Sequence, residues 1–120
     1  MPSQGGAFLL GLFSLTDDAT EQSFLAAFRA FYGHLAERGF VCGYRIMRRQ
    51  SLDGFGARLP RFAYYAEIAF PSLAHERACY DYVRLNDEPV RSLHRAMNIK
   101  VERGSADFFL TVPVASESAT

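Results

Sequence analysis

The sequence predicts an α+β fold, one antiparallel sheet carrying its helices on a single side. Three observations lead there. Runs with strand character and runs with helical character follow one another as strand, helix, strand, strand, two helices, strand. The strand segments are apolar on both faces rather than alternating between apolar and polar. A chain of 120 residues, 49% apolar and 14% aromatic, can bury one core of ordinary size. One domain spanning 1–120 is therefore expected, with 1–6 and 114–120 as flexible tails.

Ala7 to Leu15 (AFLLGLFSL) is apolar at nearly every position, which suits a strand covered on both faces. Asp18-Ala19-Thr20-Glu21 then has the spacing of a capping box. Phe24, Leu25, Phe28, Phe31, Tyr32 and Leu35 recur at helical intervals until Gly39 supplies a left-handed stop. Phe40 to Leu52 (FVCGYRIMRRQSL), rich in branched and aromatic residues, predicts the second strand, and Asp53-Gly54-Phe55-Gly56 the turn after it. Pro60 to Phe70 (PRFAYYAEIAF) predicts the third strand. Phe62, Tyr64, Ala66, Ile68 and Phe70 share one face, and Ala63, Tyr65, Glu67 and Ala69 the other. Pro71-Ser72 opens a second helix to about Leu85, Asn86-Asp87 breaks it, and Glu88-Pro89 starts a further short helix. Gly104 to Pro113 (GSADFFLTVP) predicts the last strand.

Thirteen basic and thirteen acidic side chains cancel, so no long-range field draws in nucleic acid or an anionic membrane. Cys42 and Cys79 are too few and too widely spaced for a disulfide framework or a zinc knuckle, and they read as small apolar groups in a reducing compartment. No apolar run reaches the roughly 20 residues of a membrane-spanning helix, and MPSQGG has no positive start of a signal peptide. A cytoplasmic protein with no nucleic-acid or membrane partner is the expectation.

This order of elements is the split β-α-β-β-α-β arrangement of a ferredoxin-like fold with an extra short helix. Helices cover one face of such a sheet, so strands apolar on both faces need a second cover, and a second copy of the same sheet meets that need. A face-to-face homodimer is expected. The order, the length and the segments "FPSLAHERACYDYV" and "EPVRSLHRAM" resemble the dimeric α+β barrel superfamily. That superfamily includes stress-responsive barrels, small polyketide cyclases, muconolactone isomerases and antibiotic-biosynthesis monooxygenases. The resemblance runs from about Phe8 to Val112. It implies a pocket between sheet and helices in each subunit, with the bare sheet faces meeting at the dimer centre.

On a helical wheel His75, Ala78, Cys79, Tyr82 and Val83 share one arc of the second helix, so His75 is expected to point inward as an acid or base, or as a structural core histidine. His75 and Cys79 have a spacing that one metal could bridge, but no further ligands accompany them, and no metal is expected. In the short helix Val90, Leu93 and Met97 form an apolar stripe, Arg91, Arg95 and Asn98 a polar one, and His94 lies at their border, within reach of a cavity rim. The cyclases that the chain resembles carry His-Pro-x-His at this helix start, with a tyrosine just before it. Here the segment is Glu88-Pro89-Val90-Arg91 with Leu85 at the tyrosine position, and His94 and Tyr82 each lie three residues away. Haem-degrading relatives need a buried tryptophan, which this chain lacks. Among strand residues Tyr44, Tyr64, Tyr65 and Glu67 are candidates. Glu67 would either pair with Arg45 or serve as a tuned carboxylate, and Tyr64 and Tyr65 would divide between pocket and dimer seam. His34 lies off the apolar arc of the first helix and is expected to be exposed.

The reading that joins these features is a small enzyme needing no cofactor. It would hold an apolar, aromatic or polyketide-like molecule and perform cyclisation, isomerisation or oxygenation. Its catalytic set would be His94, His75, Tyr82 and Tyr64, with Arg91, Tyr65, Glu67 and Tyr44 binding the ligand. The alternative is a non-catalytic homodimer that sequesters a ligand or serves as an interaction module.

Overall fold

The computed structural model describes residues 5–50 and 62–114. Its elements are β1 (Ala7–Phe13), α1 (Glu21–Glu37), β2 (Gly43–Arg48), β3 (Tyr64–Phe70), α2 (Leu73–Arg84), α3 (Val90–Asn98) and β4 (Asp107–Thr111). The sheet order is β2-β3-β1-β4 with every pair antiparallel, the arrangement a ferredoxin-like chain must adopt. The predicted turn at Asp53–Gly56 and most of both predicted tails lie outside the described residues.

Local sequence accounts for the element ends, with two corrections. The capping box of α1 is Thr20 with Ser23, two residues later than the predicted start: Thr20 Oγ1 accepts the Ser23 N–H at 3.0 Å and Ser23 Oγ accepts the Thr20 N–H at 3.2 Å. Gly39 is left-handed as expected, at φ +87°. Strand β4 is half the predicted length, because Gly104 at φ +82° and the 3.0 Å bond from Ser105 N–H to the Glu102 carbonyl make a turn where the strand was predicted to begin. Ser105 Oγ accepts the Ser14 N–H at 3.1 Å and ties that turn to the end of β1.

Strand register sorts the side chains into two layers. Ala7, Leu9, Gly11 and Phe13 of β1 stand opposite Phe70, Ile68, Ala66 and Tyr64 of β3, and these face the helices. There they meet Phe24, Phe28, Phe31 and Leu35 of α1, Cys79 of α2, and Val90 and Met97 of α3 in one core. The aromatic spacing is close: Phe13 to Phe24 5.2 Å, Phe24 to Phe28 5.9 Å, Phe28 to Tyr32 5.0 Å and Phe28 to Tyr44 6.0 Å between ring centres. The other face carries Phe8, Leu10 and Leu12 of β1, Tyr65, Glu67 and Ala69 of β3, Arg45 and Met47 of β2, and Phe109 of β4. Among the described residues no helix lies over it, and Phe109 is 47% exposed and Met47 39%. The expectation of strands apolar on both faces thus holds for β1, while the bare face is interrupted by Arg45–Glu67 across β2 and β3 and by Asp107 and Thr111 of β4, and the helix-facing side of β2 carries Arg48.

Candidate functional site

Glu67 and Tyr65, predicted to bind ligand, stand on the bare sheet face. Arg45 Nε donates to Glu67 Oε1 at 2.9 Å, and the Tyr65 hydroxyl donates to Oε2 at 3.4 Å. The ion-pair alternative for Glu67 is the one the structure contains, because residue 45 is its direct cross-strand partner. Arg91 is exposed and bonded at 3.3 Å to Glu88, just ahead of α3, so its guanidinium faces solvent rather than a pocket.

His75 does not point inward. It is exposed in the first turn of α2 beside the exposed Leu73 and Ala74, with Ser72 Oγ 2.7 Å from its Nδ1. The wheel argument fails there because the first turn of α2 is solvent-exposed, and burial begins only at Cys79. His75 and Cys79 therefore do not converge. Among the described residues no group of three or more His, Cys, Asp or Glu side chains could hold a metal ion. Burial pushes the Cys79 thiol up to about 11.

Tyr64 faces the helices but serves an ion pair. Its hydroxyl donates to Glu21 Oε1 at 2.9 Å, and Arg48 donates to both oxygens of the same carboxylate at 2.9 and 3.2 Å. Arg48 first, and then Tyr64, hold the Glu21 carboxyl below the usual glutamate value. A carboxylate so depressed stabilises the fold above its unfolded pKa and loses that contribution as pH falls through the lower folded value. Glu21→Gln should thus narrow the gap in melting temperature between neutral and acidic solution, measured by circular dichroism. An unchanged gap would exclude a thermodynamic role for the triad.

Two histidines remain. His94 is half-buried with its ring centre 5.0 Å from that of Phe31, its Nε2 is 3.3 Å from Asn98 Nδ2, and burial lowers its pKa. His34, expected in solvent, instead joins α1 to α2: its Nε2 lies 2.9 Å from the Tyr82 hydroxyl, with the two rings stacked 6.1 Å apart. Arg38 places its guanidinium 4.9 Å over the Tyr82 ring and Phe40 packs 5.2 Å away. The reason is angular. His34 follows Phe31 by three residues, about 60° round the helix, so it sits on the flank of the apolar arc rather than opposite it. The available signal was the pair His34 and Arg38, one turn apart beside that arc; the partner, 48 residues on, had none. Tyr44 packs against Phe28 and Tyr32 at the β2 edge. Burial raises the Tyr32 phenol above its ordinary value.

Strand β4 supplies a surface that sequence reasoning overlooked. Phe108 lies opposite Gly11 on the helix-facing side, so close that a Cβ on Gly11 would stand 2.8 Å from its ring. Yet Phe108 is 60% exposed and Leu110, on the same side, 43%. A separate cavity of about 330 Å³, lined by Ser14, Glu102, Arg103, Gly104 and Ser105, includes none of the predicted site residues.

The sequence matches, over residues 9–119, the protein family described as "Family of unknown function (DUF6614)". The chain belongs to that family. Curated proteins give no match. The DUF6614 chain is similar in structure to SnoaB, a cofactor-independent oxygenase from Streptomyces nogalater, with a TM-score of 0.64 at 10% identity over 94% of this chain and 97% of that one. It is also similar to protein At3g17210 of Arabidopsis thaliana, at a TM-score of 0.69 and 8% identity over 92% and 98% of the two chains. A third similar structure is a dimeric ferredoxin-like protein of unknown function from Jannaschia sp. CCS1, at 0.63 and 11% over 88% and 96%. At these identities the likeness establishes the ferredoxin-like fold alone; three of the similar structures are themselves described as dimeric, ferredoxin-like and of unknown function.

Proposed function

We propose that this protein is a homodimer, closed through its bare sheet faces, that binds an apolar aromatic or polyketide-like small molecule on the helix side and performs acid–base chemistry on it with its own side chains. The observation that carries this reading is the exposure of Phe108 and Leu110 on the helix-facing side of β4, where a soluble chain would ordinarily hide them. The occupant of the opposite face is a second copy. That face is largely apolar and its Arg45–Glu67 pair is neutralised internally, while its other charge, the exposed Asp107, lies at the start of the edge strand β4, so the apolar centre of the face can meet itself across a twofold axis without stranding either member of that pair. Two proteins of similar fold are described as dimeric, which supports a dimer here. Half-buried His94 is the proton-accepting candidate on α3. His75 and Tyr64, engaged elsewhere, are not included.

The non-catalytic reading has one observation in its favour: the interior between α1 and the sheet is filled by its own aromatic rings. Both readings require ligand binding at Phe108, and turnover separates them. The chain contains six tyrosines and no tryptophan, so quenching of tyrosine emission reports binding across a panel of polycyclic phenols and diketones. Phe108→Asp is expected to abolish that quenching while the dimer persists. Equal quenching by wild type and variant would overturn the assignment.

A further inference from the structure

We propose that Asp107 of one protomer pairs with Arg45 of its partner across the seam, and that this pairing fixes which way round the two sheet faces meet. This inference deepens, and rests on, the reading above that the bare sheet faces close a homodimer. Among the described residues the four strands contain four charged side chains. Arg48 stands on the helix-facing side, and Arg45, Glu67 and Asp107 stand on the bare face. Arg45 spends only its Nε on Glu67, at 2.9 Å; its side chain is 63% exposed, and its two terminal nitrogens make no hydrogen bond among the described residues. Asp107 is exposed, stands opposite Leu12, and makes no ion pair among the described residues. Other surface acids also lack a partner, but among the described residues Asp107 is the one that stands on the face the dimer covers. Arginine has five N–H donors, so one guanidinium can serve the Glu67 carboxylate of its own chain and a second carboxylate from outside.

The sheet order makes the choice of axis an electrostatic one. Arg45 is on β2 and Asp107 on β4, the two edges of the β2-β3-β1-β4 sheet. In register they are one step apart: Arg45, Glu67, Leu10 and Phe109 form one cross-strand row, and Met47, Tyr65, Leu12 and Asp107 the next. Two sheets packed face to face with their strands aligned can be related by a twofold axis that runs between them either across the strands or along them. An axis across the strands lays β2 over the partner's β2 and β4 over its β4, so the two Arg45 share one rim and the two Asp107 the other. An axis along the strands, between β3 and β1, exchanges the edges and keeps each row at its own height. Each β2 then lies over the partner's β4, with the partner's Asp107 one row, about 7 Å, along from the point above Arg45. The sheets stand about 10 Å apart, a gap that an arginine and an aspartate reaching from opposite sides can close. Twofold symmetry makes the contact twice, once at each rim, around an apolar centre of Phe8, Leu10 and Leu12. Like charges brought together cost more than a rim pair contributes, so these residues act mainly by excluding the other axis.

Sedimentation of the full chain gives the dimer dissociation constant, and circular dichroism reports folding of each variant. Asp107→Arg, which sets a cation against the partner's Arg45 at both rims, is expected to raise that constant at least about tenfold, and Asp107→Asn, which only removes attraction, by less. Neither touches the bond between Arg45 and Glu67. Added salt should narrow the gap between Asp107→Arg and wild type, because rim charges open to solvent are screened. Arg45→Glu should weaken the dimer as Asp107→Arg does. Mixed in equal amounts, these two single variants should recover dimerisation, because one chain then carries acidic side chains at both positions and the other basic ones. Native mass spectrometry should show the mixed dimer above the half share of random pairing. Should Arg45→Glu fail to fold with two carboxylates side by side, the Asp107 series and its salt dependence still give the answer. Equal dissociation constants for wild type, Asp107→Asn and Asp107→Arg, or random pairing in the mixture, would overturn this inference and leave the homodimer reading intact. A monomeric wild type would overturn both.

Discussion

Phe109→Asp should convert a dimer into a monomer of 13.5 kDa. Light scattering at micromolar concentration reads the outcome directly, and wild type is expected at twice that mass. Phe109 is 47% exposed on the face opposite the helices, paired in register with Leu10 and flanked on that face by Leu12, Phe8 and Tyr65. Burying a phenylalanine is worth about 2–3 kcal/mol, and twofold symmetry counts the loss twice. Roughly 4–6 kcal/mol follows, about three to four decades of dissociation constant, before the cost of pressing a carboxylate against an apolar partner is added. The neighbouring substitution makes the test sharp. Side chains alternate across a strand, so Phe108→Asp places the same charge one residue earlier on the helix-facing side and should leave the dimer whole. Dimerisation surviving Phe109→Asp, or lost equally in both variants, would remove the sheet face as the seam.

The second large effect lies in the core. Phe28→Ala should cost about 3–5 kcal/mol, the usual range for deleting a buried ring, against a total of about 5–15 kcal/mol for a domain of this kind. Phe28 is 2% exposed and joins α1 to the sheet through Phe24, Tyr32 and Tyr44, so its removal leaves a cavity bounded by three other aromatic side chains that have no smaller packing to fall back on. Urea unfolding monitored by circular dichroism measures the loss. Because α1 carries His34 and Arg38 at its far end, the variant should also loosen the Tyr82 contact. A loss below about 1 kcal/mol, the range of surface substitutions, would mean that α1 is held by something other than this aromatic layer.

How much of this was legible beforehand follows from how far apart the interacting residues are. Helix α1 was readable from Phe24, Phe28, Phe31 and Leu35, since a 3.6-residue period is a property of neighbours. The two layers of β3, with Ile68 and Phe70 towards the helices and Tyr65 and Glu67 away from them, follow from a period of two, and the bond between Arg45 and Glu67 follows once β2 lies beside β3. His75 was misplaced because a helical wheel assigns a direction and takes no account of the first turn of α2 being exposed.

The candidate site was much less legible. His34 and Tyr82 are 48 positions apart, and each on its own is an unremarkable half-polar residue on a helix flank. Their meeting depends on the crossing of α1 and α2 over the sheet, which is settled by how the Phe31, Cys79 and Leu35 side chains pack and by no local pattern. The pairing of β4 with β1 at Gly11, where the missing side chain lets Phe108 lie flat and remain open, is likewise a matter of register. Element type, order and facing are written in the spacing of apolar residues because each depends on a few adjacent dihedrals. Which polar groups come within hydrogen-bond distance is a sum over the whole packed chain, and it exists only once the core has closed.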